Sequence, residues 1–122
     1  MFHCNKGELY KPLEVNKVYC GDCLEVLKTF PSGSVDLTIT SPPYDNLRTY
    51  NGYTFDFEGI AKELFRVTKQ GGVVVWVVGD ATIKGSETGT SFKQALYFKE
   101  IGFNLHDTMI YKKVNPMPYI KK

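Results

Sequence analysis

Val35-Asp36-Leu37-Thr38-Ile39-Thr40-Ser41-Pro42-Pro43-Tyr44 is the stretch on which the fold turns. Its first six residues are rich in β-branched side chains, which suit a pleated, half-buried surface, so Val35 to Thr40 is predicted as a strand. Ser41-Pro42-Pro43-Tyr44 then ends it. Each proline fixes its own φ and removes an N–H donor. The residue before each proline is also pushed out of the helical region. The strand should therefore leave the sheet as a stiff, extended segment. That segment holds a hydroxyl, free main-chain carbonyls and an aromatic ring in fixed relation.

Upstream, Val15 to Cys20 reads as a short strand. Asp22 is a good N-cap for a helix over Cys23 to Thr29, with Leu24, Val26 and Leu27 inward, and Phe30-Pro31-Ser32-Gly33 breaks that helix. Residues 1 to 14 are a polar, mixed lead-in. Downstream, Asp45 to Tyr53 is a polar, aromatic loop. Phe57, Ile60, Ala61, Leu64 and Phe65 then recur at helical spacing, and Gly71-Gly72 ends that helix or the turn after it. Val73 to Val78 is a continuous apolar run, as in a parallel strand buried on both faces. Asp80 to Gly89 reads as a loop. Thr90 caps a further helix with Phe92, Ala95 and Leu96 on one side, ending near Gly102. Phe103 to Lys113 reads as a final strand, stopped by Asn115-Pro116-Met117-Pro118. This alternation predicts an α/β architecture with a largely parallel sheet. Ligands in such sheets sit at the carboxyl ends of the strands, where Asp22, Ser41 and Asp80 all fall.

At 122 residues the chain is one small domain or part of a larger one. A hydrophobic content of 43% with 23% charged residues is ordinary for a globular domain and argues against disorder. The formal net charge of +2 leaves any nucleic-acid surface to a local patch. No apolar stretch reaches membrane-spanning length, and Met1-Phe2-His3-Cys4 does not begin a signal peptide. Three cysteines are too few for a full disulfide framework, so a reducing cytoplasm is the expected compartment. Cys20-Gly21-Asp22-Cys23 admits three roles: a redox pair, half of a zinc site completed by His3 and Cys4, or a strand end and helix start in which both cysteines pack as small residues. The packing role, with no metal bound, is the expectation.

The strand exit suits gripping a planar, amine-bearing group such as the exocyclic amine of a nucleobase. Thr40-Ser41-Pro42-Pro43-Tyr44 resembles the catalytic motif of DNA methyltransferases that modify exocyclic amines to give N4-methylcytosine or N6-methyladenine. Gly21-Asp22-Cys23-Leu24, Ser34-Val35-Asp36-Leu37 and Gly71-Gly72 with Val73 to Val78 stand in the order that family shows. The resemblance runs from about Val18 to about Pro116. It implies a Rossmann-like fold dependent on S-adenosylmethionine, with double-stranded DNA as partner and Ser41, Pro42, Pro43 and Tyr44 as the catalytic turn. The Ser41 hydroxyl and Pro42 carbonyl would accept hydrogen bonds from the target amine, and Tyr44 would stack on a base that has left the duplex.

Asp22 is the best cofactor candidate, its carboxylate accepting from the adenine amine while the Cys23 N–H donates to the ring. A helix cap alone is the competing role, and the two are compatible. Arg48, Tyr50, Asn51 and Tyr53 combine basic, polar and aromatic groups suited to phosphate contact and stacking, or form an ordinary polar loop. Lys112, Lys113 and Asn115 would touch DNA backbone or be solvated. Lys84 to Thr90 lacks the Gly-Lys-Ser/Thr ending of a phosphate loop.

The family's glycine-rich Phe-x-Gly-x-Gly cofactor loop is absent from the sequence, as is a target-recognition region. The resemblance therefore implies an N-terminal catalytic half over residues 15–122, either a fragment, a natural truncation or one half of a split enzyme. Such a half would meet its C-terminal counterpart in cis or in trans. A serine at the head of the motif favours cytosine N4 over adenine N6. Two other readings compete: a non-catalytic nucleic-acid or partner-binding module that keeps the fold, and a protein-glutamine or RNA amine methyltransferase. The latter places its glycine-rich loop before the turn, where this chain has none.

Overall fold

The computed structural model describes residues 13–44 and 55–114. Its elements are α1 (Cys23–Lys28), β1 (Val35–Thr40), α2 (Phe57–Val67), β2 (Thr68–Trp76), β3 (Thr82–Ile83), β4 (Ser86–Glu87) and α3 (Thr90–Ile101). The α/β alternation predicted from sequence is present as a β1-α2-β2 unit with β1 and β2 parallel. The pairing runs Leu37 with Val73, Thr38 with Val74, Ile39 with Val75 and Thr40 with Trp76. Among the described residues no helix is long and apolar enough to cross a membrane.

The core lies between α1 and α2. Val26 on α1 and Ile60, Ala61, Leu64 and Val67 on α2 are buried, the α2 set recurring every three to four residues as one face of an amphipathic helix. Leu24 and Leu27, predicted inward, are half-buried. Asp56 caps α2 by accepting from the Gly59 N–H at 3.0 Å. Arg66 joins the two helices: its guanidinium donates to the Leu27 carbonyl at 2.9 Å, the Phe30 carbonyl at 2.8 Å and the Ser32 hydroxyl at 3.1 Å. It also pairs with Glu63 at 2.7 Å. The Leu27 carbonyl in the last turn of α1, which also accepts from the Phe30 N–H at 3.0 Å, and the Phe30 carbonyl just beyond the helix thus receive donors from α2.

Several elements differ from the sequence expectation. Val15 to Cys20 is not a strand. Asn16 takes a left-handed φ of 62°, and the Tyr19 hydroxyl closes a small loop with the Glu14 N–H at 2.6 Å and the Glu14 carbonyl at 2.8 Å. Gly71-Gly72 ends neither the helix nor a turn after it, because β2 follows α2 directly. α2 stops at Val67, with the Thr68 hydroxyl donating to the Leu64 carbonyl at 2.5 Å, and the two glycines lie inside β2. There the register slips between Val35–Thr68 and Leu37–Val73. Gly71 supplies a φ of +81°, and a Cβ on Gly72 would stand 3.0 Å from the Asp36 carbonyl and 2.9 Å from that of Lys69, so the bulge requires glycine.

β2 is not covered on both faces either. Trp76 faces α2 and α3, while Leu37 and Ile39, 55% and 68% exposed, share a bare opposite face with Val73 and Val77. The expected loop 80–89 contains the β3–β4 hairpin, turned through Lys84 (φ 51°) and Gly85 (φ 77°), both positive as a two-residue hairpin turn of this hand requires.

On α3, Phe92 and Leu96 are 68% and 65% exposed. The packed face instead carries Gln94, Tyr97 and Phe98. Edge-to-face contacts of Phe57 with Tyr97 and Phe98, and of Trp76 with Phe98, draw that face inward. Gly89 stands at the cap position in place of Thr90, and Gly102 closes the helix. Phe103 to Lys113 forms no strand among the described residues, and Met109, Ile110 and Tyr111 are exposed. A strand needs a partner to satisfy its backbone groups.

Candidate active site

β1 ends at Thr40 with its carbonyl accepting from the Val77 N–H at 2.9 Å. The pairing thus continues to the mouth of the sheet, where the two prolines turn the chain away. Pro42 is buried, Ser41 is exposed, and Pro43 and Tyr44 are half-buried. The Ser41 and Tyr44 hydroxyls lie 2.8 Å apart and share one hydrogen bond. When Ser41 donates that proton to Tyr44, both Ser41 lone pairs remain available to an incoming N–H.

Asp22 stands at the start of α1 with extended backbone, φ −64° and ψ 126°. Its Oδ1 accepts from the Leu24 and Glu25 N–H groups at 3.1 and 3.2 Å, so the predicted cap is real. Oδ2 makes no further hydrogen bond among the described residues, which leaves one carboxylate oxygen for a ligand. Cys20 and Cys23 are both reduced and exposed. Partial burial of the Cys23 sulfur, and then the neighbouring Asp22 carboxylate, raise its pKa above the ordinary thiol range. That favours the neutral thiol over the thiolate a redox or zinc site needs. Among the described residues no group of three or more His, Cys, Asp or Glu side chains could hold a metal. His3 and Cys4 lie outside the described residues.

One open cleft of about 1880 Å³ joins these parts. Asp22 and Cys23 line it from α1, Ser41, Pro42 and Pro43 from the end of β1, Phe57 and Trp76 from beneath, and Thr82 and Ile83 from the hairpin. It is wider than the ~300–1,000 Å³ that encloses one small ligand, and the bare sheet face bounds it through Leu37 and Ile39. The cleft therefore brings Asp22 and Cys23 together with Ser41, Pro42 and Pro43, while Tyr44 lies outside its lining and joins the turn through the Ser41 hydroxyl. The predicted DNA contacts Arg48, Tyr50, Asn51 and Tyr53 lie outside the described residues. Lys112 and Lys113 are exposed, and Asn115 lies outside the described part.

Three residues in or beside the site were given no role from sequence. Gln94, buried, accepts from the Trp76 indole N–H at 3.0 Å and fixes the cleft floor. Asp80 accepts from the Ser91 N–H and the Ser91 hydroxyl, both at 2.7 Å. Gly79 lies against the Tyr44 ring. Only the position of Asp80 at a strand end hinted at a role.

A family model described as DNA methylase matches residues 35–122. An orphan methyltransferase of Bacillus amyloliquefaciens, M.BamHII, is 78% identical over 80 residues, covering 66% of this chain and 30% of that protein. The Type II methyltransferase M.PvuII of Proteus hauseri is 30% identical over 112 residues, covering 83% of this chain and 33% of that protein. A solved structure assigned as a DNA modification methylase of Thermus thermophilus superposes with a TM-score of 0.56 at 28% identity, covering 69% of this chain and 39% of that one. The chain thus spans about a third of the length of these relatives. A parallel β1-α2-β2 unit, a proline-stiffened strand exit opening into a cleft and a family match over most of the length agree: the chain belongs to the N6/N4 amino-group DNA methylases.

Proposed function

We propose that this chain is the part of a site-specific DNA methyltransferase that presents the exocyclic amine of a flipped base to S-adenosylmethionine. The observation that carries the reading is one open cleft lined by both Ser41-Pro42-Pro43 and Asp22 with Cys23. The amine is a poor nucleophile because its lone pair is delocalised into the ring. Ser41 Oγ and the Pro42 carbonyl accept from its two N–H groups, favour the pyramidal form and free the lone pair for in-line attack. Positioning and exclusion of water supply most of the acceleration. Tyr44 offers a ring for the displaced base, and Arg48, Tyr50, Asn51 and Tyr53 supply phosphate contacts and further stacking.

S-adenosylmethionine supplies the electrophilic methyl group when bound. The free Oδ2 of Asp22 suits the adenine amine of that cofactor, and the Cys23 N–H suits its ring. No glycine-rich loop is present for its methionine end, so this chain by itself is proposed to bind the cofactor weakly. The remaining part of the methyltransferase domain, in cis or in trans, would supply that loop and cover the bare face of Leu37, Ile39, Val73 and Val77. Cytosine N4 is favoured over adenine N6 as target. A second reading is a module that keeps the fold and binds DNA or a partner without catalysis.

The test is methyl transfer to DNA by the full-length enzyme, followed by digestion to nucleosides and mass spectrometry. The parent should yield N4-methylcytosine. Ser41→Ala should cut turnover far more than it weakens cofactor binding. An unmethylated digest with the parent would support the binding module, and equal turnover in parent and mutant would remove Ser41 from the mechanism.

A further inference from the structure

The exit of β2 runs beside the catalytic turn and touches it. Beyond Trp76 the chain still pairs with β1, through the Val77 N–H to the Thr40 carbonyl at 2.9 Å. Two residues later comes Gly79. A Cβ built there would lie 3.3 Å from Cδ2 of Tyr44 and 3.7 Å from both Cγ and Cε2. A point beyond the rim of the ring would be distinctly farther from the two flanking carbons. The near-equal distances therefore place the missing Cβ over the ring face. The Tyr44 hydroxyl at the far end of that ring meets Ser41.

The next residue fixes this surface in place. Asp80 Oδ1 accepts from the Ser91 backbone N–H and Oδ2 from the Ser91 hydroxyl, both at 2.7 Å. Ser91 is the second residue of the twelve-residue helix α3, which is itself held by the contacts of Phe98 and Tyr97 with Phe57 and Trp76. A chain of contacts thus runs from α3 through Asp80 and Gly79 to Tyr44 and Ser41. Gly79, Asp80 and Tyr44 all lie outside the cleft's lining, which Ser41 joins.

We propose that Gly79 and Asp80 are positioning residues of the catalytic turn: Gly79, by lacking a Cβ, is the plate on which one face of the Tyr44 ring rests, and Asp80 locks that plate to α3. The opposite ring face is thereby left for the base, and the Tyr44 hydroxyl is held within reach of Ser41. The inference deepens the reading that Tyr44 and Ser41 act on the target base and rests on it for its catalytic consequence. Its structural half stands apart from that reading. An added methyl at Gly79 must displace the ring by a few tenths of an ångström. Asn at position 80 can still accept from the Ser91 N–H and place a polar group by its hydroxyl, whereas Ala cannot.

Two measurements on the full-length enzyme test this. The first does not depend on activity. In protein labelled with ¹³C at the glycine α-carbon, the Gly79 signal is the one that Gly79→Ala removes. One of its α-protons points at the ring face and should resonate upfield of its geminal partner, and Tyr44→Leu should abolish that difference. An unchanged Gly79 signal in Tyr44→Leu would overturn the contact, whether or not the enzyme methylates DNA.

The second is a double-mutant cycle on kcat. Gly79→Ala should lower kcat about tenfold with KM for the cofactor unchanged, less than the ~100-fold that a full ångström of misplacement can cost. Asp80→Ala should lower it likewise, and Asp80→Asn should recover most of the loss. In a Tyr44→Ala background all three should cost less than about twofold, because the ring they position is gone. Equal losses in both backgrounds would refute the positioning role. A parent that keeps the ring shift but never methylates would refute the catalytic reading alone.

Discussion

Replacing Asp22 with Ser separates two roles that the sequence left superimposed. In the structure Asp22 Oδ1 accepts from the Leu24 and Glu25 N–H groups at 3.1 and 3.2 Å. Two of the unpaired donors at the start of a six-residue helix are satisfied this way. Losing such a cap to Ala costs about 1 kcal/mol, and Ser retains it to within a few tenths. The other oxygen is proposed to accept from the cofactor's adenine amine. A hydrogen bond to a charged group is worth ~1.5–3 kcal/mol, which corresponds to roughly 10- to 150-fold in Kd at about 1.4 kcal/mol per tenfold. In the full-length enzyme Asp22→Ser should therefore melt close to the parent yet bind S-adenosylmethionine roughly 10- to 150-fold more weakly. Asp22→Ala should lose both stability and affinity. Thermal unfolding and isothermal calorimetry on the three proteins give the comparison. If Asp22→Ser binds the cofactor as tightly as the parent, the carboxylate is a helix cap and nothing more.

Two further outcomes follow from the packing. Arg66→Lys should destabilise the fold by about 1–3 kcal/mol, because one ammonium cannot replace the planar fork that serves Leu27, Phe30, Ser32 and Glu63 together; urea unfolding indistinguishable from the parent would show that these bonds carry no net stability. Cys23 should alkylate more slowly at pH 8 than free cysteine, since burial and then the Asp22 charge raise its pKa. A raised thiol pKa means the folded state holds its proton longer, so its contribution to stability is present below the unfolded thiol's pKa and falls as pH rises through the folded one. Iodoacetamide labelling across pH, resolved at Cys23 by fragment-ion mass spectrometry, checks the shift, and a rate matching free cysteine would contradict it.

The sequence by itself determined the elements whose signals are local. β-Branched Val35–Thr40 followed by Ser41-Pro42-Pro43 fixed β1 and its exit, because propensity and proline stereochemistry act within a few residues. Asp22 before Cys23–Lys28 and the apolar spacing of Ile60, Ala61 and Leu64 fixed α1 and the buried face of α2. The likeness to amino-group DNA methylases was legible for the same reason, since its motifs are short and contiguous.

Tertiary structure decided what depends on partners distant in the chain. Val15–Cys20 and Phe103–Lys113 carry strand-like sequence but form no strand among the described residues, because a strand is defined by the neighbour it pairs with and not by its own composition. α3 offered two apolar faces, and contact with Phe57 and Trp76 chose the one bearing Tyr97 and Phe98 over Phe92 and Leu96. Gly71-Gly72 looked like a helix stop and proved to be a bulge, because the constraint on Gly72 comes from the Asp36 carbonyl of the neighbouring strand. The contact proposed to support the Ser41–Tyr44 turn is of the same kind. Gly79 has no side chain to announce a role, and only the approach of the Tyr44 ring shows that a Cβ at this position would crowd it.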